Sequence, residues 1–304
     1  MTEYVLFGDA LVRSTPLILT GLAVALAFRA GIFNIGAEGQ FLVGAAASTA
    51  VGVRWGTALG AVVIPLALLA GMAAGAVWAG IAAELRRRFH VLEIISTIML
   101  NFIALHLISF LVRGPLQEPT RIYPQTASIP SAAQLPVIAP GTRLHLGFLL
   151  TIAIACALAW LLRHTAAGFR IRAMGAGPTA AASAGMIDVA KISRRVFLLS
   201  GSLAGLAGGI EVSGVTFALY ENISPGYGYT AIAVALIAGL SPVGVIASGV
   251  FFGILETGAT GLQRDFGIPA ATATVIEALL VLLVLALNQF RSNHPLQFSK
   301  PAVT

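Results

Sequence analysis

The chain has 304 residues, 58% of them hydrophobic and only 10% charged, with 18 Lys and Arg against 12 Asp and Glu; the mean hydropathy is +0.92. A water-soluble domain of this size needs a charged coat, so these values exclude one and describe a chain solvated mainly by lipid. The formal charge of +6 is spread over separate basic loops rather than gathered in one patch, which argues for membrane topology and against nucleic-acid binding. The single cysteine, Cys156, lies in an apolar run, so no internal disulfide forms and no Cys-based metal site is expected.

A helix that crosses a bilayer needs about 20 mostly apolar residues. By that ruler about nine apolar segments are predicted: Ser14–Ala30, Gln40–Val53, Thr57–Ala82, Val91–Val112, Leu146–Leu162, Val196–Leu219, Ala231–Ala247, Val250–Leu262 and Ala270–Phe290. The start, "MTEYVLFGDALVR", carries Glu3 and Asp9 and lacks the basic stretch of a cleaved signal peptide. Alternating the spans places Arg29, Arg86, Arg87, Arg88, Arg163, Arg170, Arg172, Lys191, Arg194, Arg195, Arg291 and Lys300 on one side. Most of the basic residues mark the cytoplasmic face, so the N-terminus is expected outside and the C-terminus inside. The proline-rich loop Arg113–Arg143 then falls outside.

This order contains an internal symmetry. Residues 14–112 form a first set of spans and 196–290 a second set of opposite orientation. Between them lie the external loop 113–145, a linking span 146–162 and a cytoplasmic segment 163–195; a tail, 291–304, follows. Each set has a glycine-rich polar break after its first span: "FNIGAEGQ" (Phe33–Gln40) and "ENISPGYGYT" (Glu221–Thr230). Inverted repeats with matched interruptions point to a transport path at their interface. The fold expected is an all-α polytopic membrane protein with two inverted repeats.

Breaking a helix frees backbone N–H and C=O groups that hydrocarbon cannot satisfy, so such a break survives inside protein or beside water. Asn34, Glu38 and Gln40 supply hydrogen-bonding groups there, and the segment reads as a gate or path lining, with a plain cytoplasmic turn as the alternative. In "VLEIISTIMLN", Glu93, Thr97 and Asn101 fall within about 80° of one another on one helical face, an inward polar stripe that equally suits interhelical hydrogen bonding. His106 lies on another face and reads as a satisfied buried or interfacial histidine, while Glu256 and Glu277 are further intramembrane acids. Tyr227 and Tyr229 add stacking and hydrogen-bonding groups for a neutral polar solute. The run "GSLAGLAGG" repeats glycine at Gly201, Gly205 and Gly209, a smooth face for close helix packing.

The segment "TAAGFRIRAMGAGPTAAASAGMIDVAKISRR" (Thr165–Arg195) is too polar to span and rich in alanine. A short helix is expected from Pro178 to about Ala184, opened by proline and ended by Gly185.

The stretches "FRAGIFNIGAEGQFLVGA", "EIISTIMLNFIA", "IRAMGAGPTAAASAGM" and "GYGYTAIAVALIAGLSPVG" resemble the signature stretches of bacterial permeases of ATP-binding cassette importers. The group is the branched-chain amino acid and ribose type, and the branch most similar is the nucleoside (basic membrane protein-associated) permeases. The resemblance covers nearly the whole chain. It implies that Thr165–Ile187 holds a coupling helix seated in a groove of a cytoplasmic ATPase subunit. Arg172, Gly175, Pro178, Thr179, Ala181 and Gly185 stand at the positions concerned. Where the family usually has asparagine before the proline, this chain has Gly177. Members of the branch commonly carry one more span before the segment that starts near Ser14. The resemblance also implies a second homologous permease, most simply in a heterodimer, an external substrate-binding protein, and a bacterial inner-membrane location.

The chain has only two lysines, Lys191 and Lys300, and neither follows glycine, so a Gly-Lys-Ser/Thr phosphate loop is absent. It is expected to be no enzyme and to carry no cofactor, with ATP and magnesium on the partner ATPase. Neither a zincin motif nor a Gly-x-Ser-x-Gly elbow is present. Nucleosides or nucleobases are the implied solutes, with simple sugars as runner-up; an ion-coupled secondary transporter is the competing class, but it has no use for a coupling helix.

Overall fold

The structure, a computed structural model, describes residues 3–183 and 188–267, with isolated positions between 271 and 286. Gly185, Glu277 and the tail 291–304 lie outside the described residues, as does most of Ala270–Phe290. The described residues hold, in order, the α-helices α1 (Glu3–Arg29), α2 (Ala37–Leu59), α3 (Val63–Phe89), α4 (Glu93–Arg113), α5 (Leu146–His164), α6 (Ala166–Ala176), α7 (Pro178–Ser183), α8 (Val189–Glu211), α9 (Tyr227–Ile237) and α10 (Pro242–Phe266). Among the described residues there is no strand, only two isolated bridges. The chain forms two compact units, Met1–Thr257 and Gly258–Thr304. In the second, Arg264 and Asp265 pair at 2.8 Å; everything below concerns the first.

Among the described residues six helical stretches are long and apolar enough to cross a membrane, and the expectation of about nine is not confirmed. One stretch, Ala37–Phe89, has 53 residues, about 80 Å at the usual rise and far more than a bilayer core. It folds back at Gly60, whose φ of 55° leaves the right-handed region. The arms are antiparallel: Ser48 Oγ donates to Ala67 O at 2.7 Å, and a Cβ on Gly71 would lie 3.1 Å from Gly44 O. The predicted segments Ala231–Ala247 and Val250–Leu262 are divided elsewhere. α9 ends at Ile237, α10 starts at Pro242, and Gly239 and Leu240 between them hold positive φ. The apolar run hides this break because every residue in it suits lipid. Pro242, preset for a first helical turn, is the local signal. With 11 residues, α9 is about 16 Å long and cannot span.

α1 and α8 form the centre, with Leu17, Leu22 and Leu26 of α1 and Phe197, Leu206 and Ile210 of α8 buried. Exposed apolar side chains such as Val77 on α3, Phe102 and Phe110 on α4 and Trp160 on α5 face outward, as on helices solvated by lipid. The glycine face of α8 packs as its spacing predicts. A Cβ on Gly205 would stand 2.2 Å from Gly71 O, and one on Gly75 2.3 Å from Gly201 O, so α3 and α8 touch backbone to backbone. A similar contact joins α10 to α1, where a Cβ on Gly253 would lie 2.5 Å from Ala10 O.

The right-handed α8 gives way to a wide π-type turn over Val212–Thr216, which leaves carbonyls without helical partners. The proline-rich loop supplies them: Leu135 N donates to Ser213 O and Ile129 N to Phe217 O, both at 2.8 Å, and Thr126 N to Leu219 O at 2.8 Å. This explains how a loop of more than 30 residues stays ordered. The N-terminal part of α1 meets the same loop, since a Cβ on Gly8 would lie 2.9 Å from Thr142. The other end of α1 meets α6: a Cβ on Gly175 would lie 2.0 Å from Arg29 O. The molecule thus has a loop end and an α6–α7 end, with α1 running between them.

Candidate functional site

The segment after α1 turns at Ala30–Gly31, where Gly31 holds a φ of 74°, and then re-enters the bundle. Asn34 Nδ2 donates to Ser200 Oγ at 2.9 Å, and Ser200 Oγ donates to Ala23 O at 2.7 Å. Ala23 lies well before the end of α1, so the chain has come back by about 9 Å when it reaches Asn34. A simple surface turn would not do this. Asn34 is wholly buried and also exchanges two 3.0 Å bonds with the Gln40 amide, while its Oδ1 accepts from Gly36 N at 2.9 Å. Both side chains therefore organise the break itself.

α2 starts at Ala37 inside the bundle, and its free N–H groups find partners on another helix. Gly39 N donates to Asn101 Oδ1 at 2.9 Å, and Asn101 Nδ2 returns a 2.9 Å bond to Ile35 O. The second break behaves alike. Gly226 holds a φ of 104°, Ser224 Oγ accepts from Gly226 N and Tyr227 N at 3.1 Å each, and α9 starts at Tyr227. α2 runs toward the loop end, where a Cβ on Gly56 would touch Pro130. α9 runs toward the α6 end, where Arg29 Nη1 donates to Leu240 O at 3.1 Å. The two helices therefore start near one another and diverge.

A buried hydrogen bond joins them. Glu38, in the first turn of α2, accepts from Gly228 N in the first turn of α9 at 2.7 Å. A Cβ on Gly228 would lie 2.2 Å from Glu38 N, so only glycine allows this approach. A carboxylate on an orphan N–H at the positive end of a helix is favourable in charge as well as geometry. Glu38 is only 6% exposed. Beside it opens a cavity of about 310 Å³ lined by Leu42, His106, Ser109, Arg113, Glu221 and Asn222. His106 is exposed along this wall rather than buried. Glu221 is bound by Arg113 at 2.6 Å and by Ser109, which together hold its carboxyl down to about 2.

The polar stripe on α4 faces inward as expected, but its members differ. Asn101 caps α2 and also reaches Tyr229 Oη at 3.4 Å. Thr97 is buried and bonds only to carbonyls of its own helix, Glu93 O and Ile94 O. Glu93 pairs with Arg86 and accepts from Phe33 N at 3.1 Å, which joins the α6 ends of α3, α4 and the first break. Tyr227 is buried with its ring edge against Phe41 at 5.6 Å, whereas Tyr229 is exposed. The tyrosines thus face different surroundings.

The α6–α7 segment forms two short helices at one end. Thr165 Oγ1 opens α6 by accepting from Gly168 N at 3.1 Å, and α7 covers Pro178–Ser183 as predicted. Met174 of α6 and Ala181 of α7 are buried, while Arg172 is half-buried and Thr179 exposed. Through Gly175, α6 rests on Arg29 O, and Arg29 holds Leu240 O after α9.

Glu211 was not anticipated. It stands at the end of α8, 5% exposed, after the glycine run that reads as architecture alone. It borders a second cavity, about 450 Å³, toward the loop end. The single signal in the sequence was a carboxylate inside the apolar segment Val196–Leu219. Among the described residues no group of three or more His, Cys, Asp or Glu side chains is placed to hold a metal.

Two glycine-broken helices starting from a common buried point, with six long apolar stretches among the described residues, are the architecture of a multi-pass membrane transport subunit. The chain belongs to the family described as branched-chain amino acid transport system / permease component, whose model matches residues 6–285. It is 42% identical over 294 residues to the glucose ABC transporter permease protein of Haloferax volcanii, covering 93% of this chain and 77% of that protein. To the guanosine ABC transporter permease protein of Bacillus subtilis it is 38% identical over 282 residues, covering 91% and 80%. To a nucleoside ABC transporter permease protein of Lactococcus lactis it is 31% identical over 291 residues, covering 91% and 78%. No solved structure gives a significant match. The chain is a permease subunit of an ABC transporter and not itself an enzyme.

Proposed function

We propose that the chain forms the translocation path of an importer that brings nucleosides or nucleobases into the cell by alternating access, driven by a separate ATPase. The observation that carries this reading is the Glu38–Gly228 contact, where the two breaks meet. The reading of two inverted halves is supported by matched packing: α2 runs beside α8 and α9 beside α1, and glycine-lined contacts join α3 to α8 and α10 to α1. The path residues are Asn34, Glu38, Gln40, Glu93, Thr97, Asn101, Tyr227 and Tyr229, most of them placed to hold the breaks in shape.

ATP-driven movement enters at Arg172, Gly175, Pro178, Thr179 and Ala181. From there the Gly175–Arg29 contact and the Arg29–Leu240 bond lead to the ends of α1 and α9, so one displacement reaches both halves. ATP and magnesium reside on the ATPase, an external binding protein delivers solute, and a second related permease completes the membrane dimer. The assembly sits in the cell's inner membrane with the C-terminus in the cytoplasm. Nucleosides are favoured by the guanosine and nucleoside relatives, and a simple sugar is the second reading, favoured by the Haloferax volcanii glucose permease. Pull-down of the tagged chain from its own membrane, followed by uptake of labelled guanosine and glucose in liposomes carrying the whole complex, tests both. Co-purification of an ATPase with ATP-dependent guanosine uptake is expected. A chain that purifies alone and transports without ATP would overturn it.

A further inference from the structure

We infer that the cavity beside Glu211 is a binding site for a neutral polar solute, with the Glu211 carboxylate as the acceptor of two neighbouring donor groups on that solute. The inference rests on the importer reading above and locates a solute site on the loop side of the α9 start.

The cavity, about 450 Å³, falls in the range of about 300–1,000 Å³ usual for small-molecule sites. Its walls come from α1 (Asp9, Arg13), the end of α8 (Glu211), the long loop (Arg143) and the second break (Tyr220, with Tyr227 at the α9 start). Glu211 is buried to 95% and borders this space, yet its carboxylate has no hydrogen bond and no ion pair among the described residues. A carboxylate in that state is costly unless a donor reaches it. Neither Arg13 nor Arg143 closes on it to form an ion pair, so the site keeps its strongest acceptor facing the empty volume.

The charges decide the class of ligand. Two guanidinium groups, Arg13 and Arg143, and two carboxylates, Asp9 and Glu211, line the space, and Glu256 of α10 adds a third carboxylate that acts on Glu211. Three carboxylates against two guanidinium groups give no clamp for a phosphate, the guanidinium groups repel a bare cation, and the mixed wall suits an uncharged solute rich in donors and acceptors. A carboxylate accepts best from two parallel donors, which a guanine edge presents through its ring N–H and amino group and a sugar through adjacent hydroxyls. Tyr220 and Tyr227 add aromatic surface for a flat base or a sugar face. Tyr227 belongs to the first turn of α9, next to Gly228 and the Glu38 contact, so an occupied cavity presses on the helix start that joins the two halves.

The test uses the intact permease–ATPase complex in nanodiscs without the external binding protein, titrated by calorimetry with guanosine, inosine, adenosine, ribose and glucose. Wild type should bind at least one of them, and Glu211→Gln, which presents an amide where a paired acceptor stood, should weaken it at least tenfold. Guanosine above inosine with adenosine silent identifies the base edge; equal binding of all nucleosides and ribose identifies the diol. Because Glu211→Gln alone is open to a folding objection, Val215→Trp fills the cavity from another wall and should abolish binding in a monodisperse complex of unchanged melting temperature. Wild-type affinity in both variants, or no binding to wild type, overturns the site. ATP-driven uptake by the complete wild-type importer in parallel separates the cases: uptake present while both variants keep wild-type affinity removes this site alone, while uptake absent for nucleosides and sugars removes the importer reading.

Discussion

Glu38→Ala removes the side-chain hydrogen bond between the starts of α2 and α9. The Glu38 carboxylate accepts the Gly228 N–H at 2.7 Å in a site where Glu38 is 6% exposed, and the tight Gly228 approach leaves no room for a bulky replacement acceptor. An N–H left unpaired there costs about 1–3 kcal/mol. At about 1.4 kcal/mol per factor of ten, the balance between this arrangement and one with the breaks apart shifts by about 10- to 100-fold. The complete complex in liposomes, assayed for uptake and for ATP hydrolysis without solute, reads that shift. Glu38→Ala should assemble normally, import at least tenfold more slowly and hydrolyse ATP faster without solute, since the resting arrangement is no longer held. Glu38→Gln keeps one acceptor and should lie between Ala and wild type. Wild-type uptake and wild-type resting hydrolysis in a well-expressed Glu38→Ala complex would refute the reasoning, because the contact would then be a passive feature of the fold.

Asn34→Ala strips partners from Gln40, Ser200 and Gly36 in a fully buried position, at about 1–3 kcal/mol for each group left unpaired; detergent-solubilised protein should melt several degrees lower, and an unchanged melt would show that water replaces the amide. Gly205→Ala puts a methyl 2.2 Å from Gly71 O and should cut the yield of monodisperse protein severely, whereas Gly258→Ala meets nothing within 4 Å among the described residues and should leave yield intact; equal yields would deny close α3–α8 packing. His145 is buried with neither ring nitrogen bonded among the described residues, and burial, then Arg143, lowers its pKa from 6.5 to about 4. The unfolded chain binds the proton more readily in that window, so stability is complete above about pH 6.5 and falls by about 2 kcal/mol between pH 7 and pH 5. His145→Phe should flatten that slope in pH-dependent melting, and an unaltered slope would assign it elsewhere. Replacing Pro178 and Thr179 with bulky acidic residues should abolish substrate-stimulated ATP hydrolysis while the permease still inserts; unchanged stimulation would reject α7 as the docking element.

Composition alone placed the chain in a membrane, because 58% hydrophobic and 10% charged residues leave too little polar surface for water. Local chemistry also marked both breaks, the α7 start at Pro178 and the glycine face of α8, each of which rests on neighbours a few residues apart. What depends on distant partners needed the tertiary structure. Nothing near Asn34 in the chain announces Ser200, and nothing near Glu38 announces Gly228, since apolar periodicity is silent about which polar groups meet across a bundle. The split between α9 and α10 was hidden for a related reason: lipid accepts every residue of that run, and the backbone reversal at Gly239–Leu240 is anchored by Arg29, 211 positions away. Glu211 is one residue inside the apolar run Val196–Leu219 until the folded chain ends α8 there and sets it beside a cavity. Hydrophobicity therefore decided the solvent and the helices, while the polar contacts that decide where the broken ends face came only with the assembled bundle.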